Sequence, residues 1–217
     1  MKRSIQIIIY LMCLIIEIQG SENTYYQIPN VLIIGIPDCM ELDDGVYSEI
    51  SDSIKKYIDI ISNSIVFHQK GLNQLEQNSF TSYARILISY EKESNDFGPI
   101  IDPSEIPQSD MKILDNQFKK NVSDGLLLGT KKLKSINQGP LILEKWIGTN
   151  LEQYKGYSSL VYRFIRTMGS AKPVYVETHT IFTRKNIISI TISCRLDDKD
   201  TLFKDIFEIM NTILLID

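Results

Sequence analysis

Glu177 and His179 stand two residues apart in the stretch "VYVETHTIFTRKNIISITISC", residues 174–194. On an extended strand this spacing puts a carboxylate and an imidazole on one face, with their side-chain origins roughly 7 Å apart. That is close enough to share a proton or a metal ion. Zinc asks for three or four ligands drawn from His, Cys and carboxylates. The chain has one other histidine, His68, on a separate predicted strand, and it has no HExxH or CxxC spacing. A cysteine nucleophile needs an imidazole beside it, so it would require Cys39 or Cys194 next to His68 or His179. There is no GxSxG elbow. Neither a GxxxxGK[ST] phosphate loop nor a GxGxxG fingerprint is present. Paired-carboxylate chemistry stays open, because 27 acidic residues offer many pairs. No catalytic residue, metal ligand, cofactor-binding residue or cofactor is assigned.

Alternation sorts the two predicted strands by face. Val174, Val176, Thr178, Thr180 and Phe182 share one side of the first strand, and Tyr175, Glu177, His179 and Ile181 share the other. In the second strand Ile188, Ile190, Ile192 and Cys194 alternate with Ser189, Thr191 and Ser193. A three-residue turn, Arg184 to Asn186, would set Thr183 opposite Ile187, Phe182 opposite Ile188, Thr180 opposite Ile190 and Val176 opposite Cys194. That register sends Cys194 to the core. It gathers Glu177, His179, Ser189 and Thr191 on a wetter face, away from Cys194. This polar patch is the candidate site, and a solvated sheet surface is the competing interpretation.

The elements that must position the patch follow from periodicity. "NVLIIGIPD" (30–38) is a buried strand stopped by Pro37. Ile50, Ile54, Ile58 and Ile61 fall on one helix face. "SIVFHQK" (64–70) and "SYARILISYEK" (82–92) are strands, with a loop over 70–82 between them. A second helix begins at Ser109 or Asp110, carries Met111, Leu114, Phe118 and Val122, and ends between Gly125 and Gly129. "LILEKWI" (141–147) and "SSLVYRFIRT" (158–167) are strands separated by the polar "GTNLEQYKGY". Phe203, Ile206, Phe207, Met210, Ile213 and Leu214 keep helical spacing to the end of the sequence. Trp146, Tyr154, Tyr157 and Tyr162 read as packing or cross-strand partners, with a binding face as the alternative. "RKN" at the hairpin turn and "KKLK" (131–134) are small basic spots, read as solvated ends.

Lys2 and Arg3 precede the apolar run "IIIYLMCLII" (7–16), which gives way to polar residues around Gly20 and Ser21. This is the layout of a secretory leader. The run is shorter than the roughly 20 apolar residues a spanning helix needs. The expectation is a signal peptide over 1–20, cleaved near Gly20, and a mature protein in the periplasm or outside the cell with no stable membrane span; an uncleaved anchor that retains residues 1–20 is the alternative. An exported compartment permits a disulfide between Cys39 and Cys194; two buried free thiols are the alternative. The formal net charge of -4 and pI of about 5.3 offer no global attraction for phosphate backbones, so nucleic acid is not expected as a partner. The chain shows no repeat or linker, and 28–217 reads as one domain.

The order strand, helix, strand–loop–strand, helix, strands, hairpin and final helix implies an α+β fold, a helix–antiparallel β-sheet–helix sandwich. "NVLIIGIPD", "VYRFIRT…KPVYVETHTIFTRKNIISITISCRLDD" and "LFKDIFEIMNTIL" resemble the photosystem II oxygen-evolving extrinsic protein (PsbP) superfamily, most of all its exported Bacteroides-group type. The resemblance implies a protein that binds or scaffolds other proteins. Photosynthetic members assist a manganese cluster, but no functional residue of theirs matches this chain, so no metal role carries over. The expected function is an exported, non-enzymatic accessory or binding protein of the cell envelope, with an envelope protein or small ligand as partner. A secreted hydrolase using carboxylate and histidine chemistry is the alternative.

Overall fold

Residues 174–195 form two inner strands of a large antiparallel sheet. The computed structural model describes residues 23–45, 64–76, 81–92, 102–134, 139–201 and 203–216. Its strands are β1 (Asn23–Ile28), β2 (Leu32–Pro37), β3 (Met40–Leu42), β4 (Ser64–Gln69), β5 (Ala84–Lys92), β6 (Leu141–Tyr154), β7 (Tyr157–Met168), β8 (Val174–Phe182), β9 (Asn186–Arg195) and β10 (Leu214–Leu215). The helices are α1 (Gln108–Lys134) and the single-turn α2 (Ile209–Thr212). One sheet has the order β1-β2-β10 and the other β3-β4-β5-β9-β8-β7-β6. The fold is α+β and consists mainly of antiparallel sheet. No described helix is long and apolar enough to cross a membrane.

The two sheets share a core. Ile86, Ile88, Ile188, Ile190 and Ile192 on the inner face of the large sheet cluster with Leu32, Ile34 and Ile36 of β2 and with Ile206, Ile209 and Ile213. Each such side chain, fully buried, contributes about 1.5–3 kcal/mol. The outer face lies under α1 at the β6–β7 end. There the Phe118 and Tyr162 ring centres are 5.4 Å apart, and Trp146 stacks on Tyr162 and Phe164 at 6.2 Å each. Asp115 Oδ1 accepts the Trp146 indole N–H and the Thr149 N–H, both at 2.8 Å. The aromatic residues of β6 and β7 therefore serve packing here.

Several boundaries differ from the sequence reading. The polar stretch after Ile147 is mostly strand. β6 and β7 run almost to their turn at Lys155–Gly156, where φ is 49° and 86°. Two positive φ values in a two-residue turn match the twist of the flanking strands. β1 lies before residue 28 and pairs along its whole length with β2. The expected helix through Ile50–Ile61 lies outside the described residues. α1 continues past Gly125 and Gly129 to Lys134, so "KKLK" is its last turn, where lysines suit the helix dipole. At Gly129 the helix lies close to β6: a Cβ there would come within 2.9 Å of Leu141 Cδ1, a contact that a shift of the leucine side chain relieves.

The long C-terminal helix is corrected most strongly. Residues 204–208 form a 3₁₀ turn, α2 adds one turn, and Leu214 and Leu215 then pair with Ile33 and Leu32. Thr212 drives the switch. Gly35 N–H donates to Thr212 Oγ1 at 2.9 Å, and that hydroxyl lies within reach of Gly35 O at 3.1 Å and Ile209 O at 2.7 Å. The open edge of β2 takes the chain into a strand although its apolar residues keep helical spacing. Phe203, Ile206, Ile209, Met210 and Ile213 are nonetheless buried.

Candidate functional site

The β8–β9 register decides the site, and it is one residue away from the expected one. Phe182 faces Ile187, Thr180 faces Ser189, Val176 faces Ser193 and Glu177 faces Ile192. The turn is the two residues Arg184–Lys185. Thr183 N–H donates to Asn186 O at 2.9 Å, and Asn186 N–H donates to Thr183 Oγ1 at 3.0 Å. Thr183 and Asn186 thus use their own polar groups to close a shorter loop. Directly opposite residues share a face, so Glu177 and His179 lie on the inner, isoleucine-bearing face. Ser189 and Thr191 lie on the outer face, where Thr191 Oγ1 is 3.0 Å from Thr178 Oγ1. The four-residue patch is divided between the two sides of the sheet. Cys194 shares the face of His179 rather than opposing it. His179 pairs with Ile190, four residues from Cys194, or roughly 13 Å along the strand.

On the inner face Glu177 is the centre of a buried polar cluster. Arg163, its partner across β7, donates Nε–H to Glu177 Oε2 at 2.8 Å. Tyr175 donates its hydroxyl to the same oxygen at 2.8 Å, and His179 Nε2 lies 2.7 Å from Oε1. Glu152 Oε1 stands 3.9 Å from Arg163 Nη2. The Glu177 side chain is 14% exposed and that of Arg163 25%. Lys199 covers the cluster's apolar flank, with Nζ 4.5 Å from the Tyr175 ring centre and 5.3 Å from that of Phe207.

The electrostatics follow from this geometry. Burial alone would raise the Glu177 carboxyl, but the bonds from His179, Arg163 and Tyr175 and the Arg163 charge outweigh it and hold the group at about 2. Burial pushes the Tyr175 hydroxyl up, and so does its bond to the Glu177 carboxylate. A carboxylate this acidic is a poor general base near neutral pH. Both its oxygens are already engaged, so its role is to anchor Arg163, Tyr175 and His179. Sequence reasoning missed Arg163 and Tyr175. Tyr175 was visible as a same-face neighbour two residues before Glu177, whereas Arg163 needs the β7–β8 register.

The remaining candidates are dispersed. His68 is on β4, on the outer face, with Nε2 3.3 Å from Glu41 Oε1 and Nδ1 3.8 Å from Asp43 Oδ1. It shares no site with His179. Cys39 and Cys194 are both free thiols. Burial pushes Cys194 up to about 12, against a small opposing pull from Lys199, and burial likewise raises Cys39. Among the described residues there is no group of three or more His, Cys, Asp or Glu side chains that could hold a metal ion.

No protein-family model matches the chain, and no curated protein matches it. Solved structures resemble it at low identity. The cyanobacterial PsbP of Synechocystis is 13% identical, with a TM-score of 0.46 over 91% of this chain and 95% of its own. A Bacteroides thetaiotaomicron structure is 10% identical with the same TM-score, and the match spans 91% of this chain but only 49% of that one. A Pseudomonas aeruginosa protein of unknown function is 11% identical, with a TM-score of 0.38 over 89% of this chain and 96% of its own.

Proposed function

We propose that this is an exported, non-enzymatic accessory or binding protein of the cell envelope, which presents its α1–β6 side to another protein. The reading includes a leader over residues 1–20 and a PsbP-like helix–sheet–helix sandwich. One observation carries it. Four large apolar side chains are exposed on α1 and the β6 strand it packs against: Ile113, Leu127, Leu128 and Ile147, each 46–65% exposed. Apolar side chains concentrated at one side mark an interaction surface, whereas scattered ones do not. The saturated Glu177 carboxylate weighs against the hydrolase alternative, which predicts activity lost in His179→Ala without lost stability.

The test is photo-crosslinking in the native cell with a reactive residue placed at Leu127 or Ile147 of the full chain. A discrete adduct of defined mass from these positions, and none from Lys172, is the expected result. Bare monomer from both positions would sink the reading. N-terminal sequencing of the recovered protein tests export, and a first residue upstream of Ser21 would contradict cleavage.

A further inference from the structure

The outer face carries a second polar cluster, on the opposite side of the sheet from Glu177, which the proposed binding role does not use. Tyr83, just before β5, accepts the Arg195 N–H at 3.0 Å through its backbone carbonyl, which extends the β5–β9 pairing by one row. Its hydroxyl lies 3.2 Å from Ser193 Oγ and 3.5 Å from Arg166 Nη2. Arg85 is the cross-strand partner of Ser193, so it flanks the same hydroxyl from β5. Arg195 pairs with Val174, and Val174 with Arg166, which puts a third arginine position on the same row of this face.

Charge is what sets this corner apart. Among the described residues, no carboxylate lies within ion-pair distance of Arg85, Arg166 or Arg195. Glu41, next along the Arg85 row, is already engaged by the Asn73 N–H at 2.8 Å and by His68. Arg85, Arg166 and Tyr83 are half-buried, and Ser193 is buried. Gathering guanidinium groups out of water without a counter-charge is costly. Burial would raise the Tyr83 hydroxyl, yet Arg166 and Arg85, with the bonds from Ser193 and Arg166, bring it below the usual tyrosine value. The corner therefore stabilises negative charge at the place where the Tyr83 oxygen sits.

We propose that Tyr83, Arg85, Arg166 and Ser193 form a binding site for a tetrahedral oxyanion of the phosphate type. Guanidinium forks match such an anion with paired N–H donors, and the two hydroxyls add rotatable donors. Two uncompensated cations favour a dianion over a single carboxylate. The anion is either free phosphate or a phosphate group carried on a larger molecule.

The test is calorimetric titration of the full chain at constant ionic strength with inorganic phosphate, a phosphomonoester (phosphoserine amide) and acetate. The expected result is saturable one-to-one binding of phosphate or the ester, with acetate at least about tenfold weaker. The tighter of the two phosphates tells whether the anion is free or carried. Arg85→Gln and Arg166→Gln should each weaken binding about tenfold, while Arg184→Gln at the hairpin turn should not. Arg166→Lys keeps charge and bulk but loses the fork, so it covers the case in which a glutamine variant does not fold. No saturable binding, equal affinity for acetate, or affinity unchanged in both Arg166 variants would overturn the proposal.

Discussion

Arg163 Nε lies 2.8 Å from Glu177 Oε2 across two neighbouring strands, on the face of the sheet that also carries the isoleucine core. The pair is partly screened by solvent, so it is worth less than a fully buried one. Replacing Glu177 by Gln keeps the shape but leaves Arg163 only the more distant Glu152 carboxylate, 3.9 Å away, as a counter-charge. The expected loss is about 2 kcal/mol, read as a lower urea midpoint with an unchanged slope. A midpoint equal to wild type would mean that the cluster does not support the fold.

The same carboxylate makes stability depend on acidity. Its folded-state value of about 2 lies below the ordinary 4.5. The contribution is therefore complete above about pH 4.5 and is lost as the pH falls toward 2. Urea midpoints at pH 6, 4 and 2.5 should drop more steeply for wild type than for Glu177→Gln. Parallel curves would refute the assignment.

Burial makes Cys194 unreactive. With its thiol pushed up to about 12, it should resist an aromatic disulfide reagent in native buffer and react on denaturation. Half-buried Cys39 should react first. Rapid native labelling of Cys194, or a loss of both thiols that reductant reverses, would contradict the free-thiol arrangement.

Asp115 holds two donors at once, the indole of Trp146 and the Thr149 amide. Asp115→Ala leaves both unpaired, at a cost of about 2 kcal/mol. Trp146 is the single tryptophan of the chain, so its emission reports directly on this contact. A red shift with a lower melting temperature is expected, and an unaltered spectrum would show that α1 does not need the bond.

The periodic parts of the fold were open to reading from sequence. Ile188, Ile190 and Ile192 alternate and are fully buried, and Leu32–Pro37 lies within the predicted strand. The failures share one cause. Polar character points Glu177 and His179 to the wet face, but Arg163, fourteen residues upstream, pairs with the Glu177 carboxylate inside, and that carboxylate in turn holds His179. Phe203–Leu214 has helical spacing, yet the open edge of β2 and the Thr212 hydroxyl turn its end into a strand. The tyrosine-rich "NTYYQI" carries no clean alternation, so β1 was invisible without its partner. Long-range pairing overrides local pattern in each case.

The bond between Gly35 and Thr212 joins positions 177 residues apart. A ribosome adding about 5–20 residues per second delivers Thr212 on the order of ten to thirty seconds after Gly35. Throughout that interval β2 can pair with β1 but has nothing for its other edge, and Leu32, Ile34 and Ile36 lack part of their cover. The smaller sheet is thus a late event in the life of each molecule. A chain stalled before Thr212 should be cut by protease near β2, whereas the released chain should be resistant there.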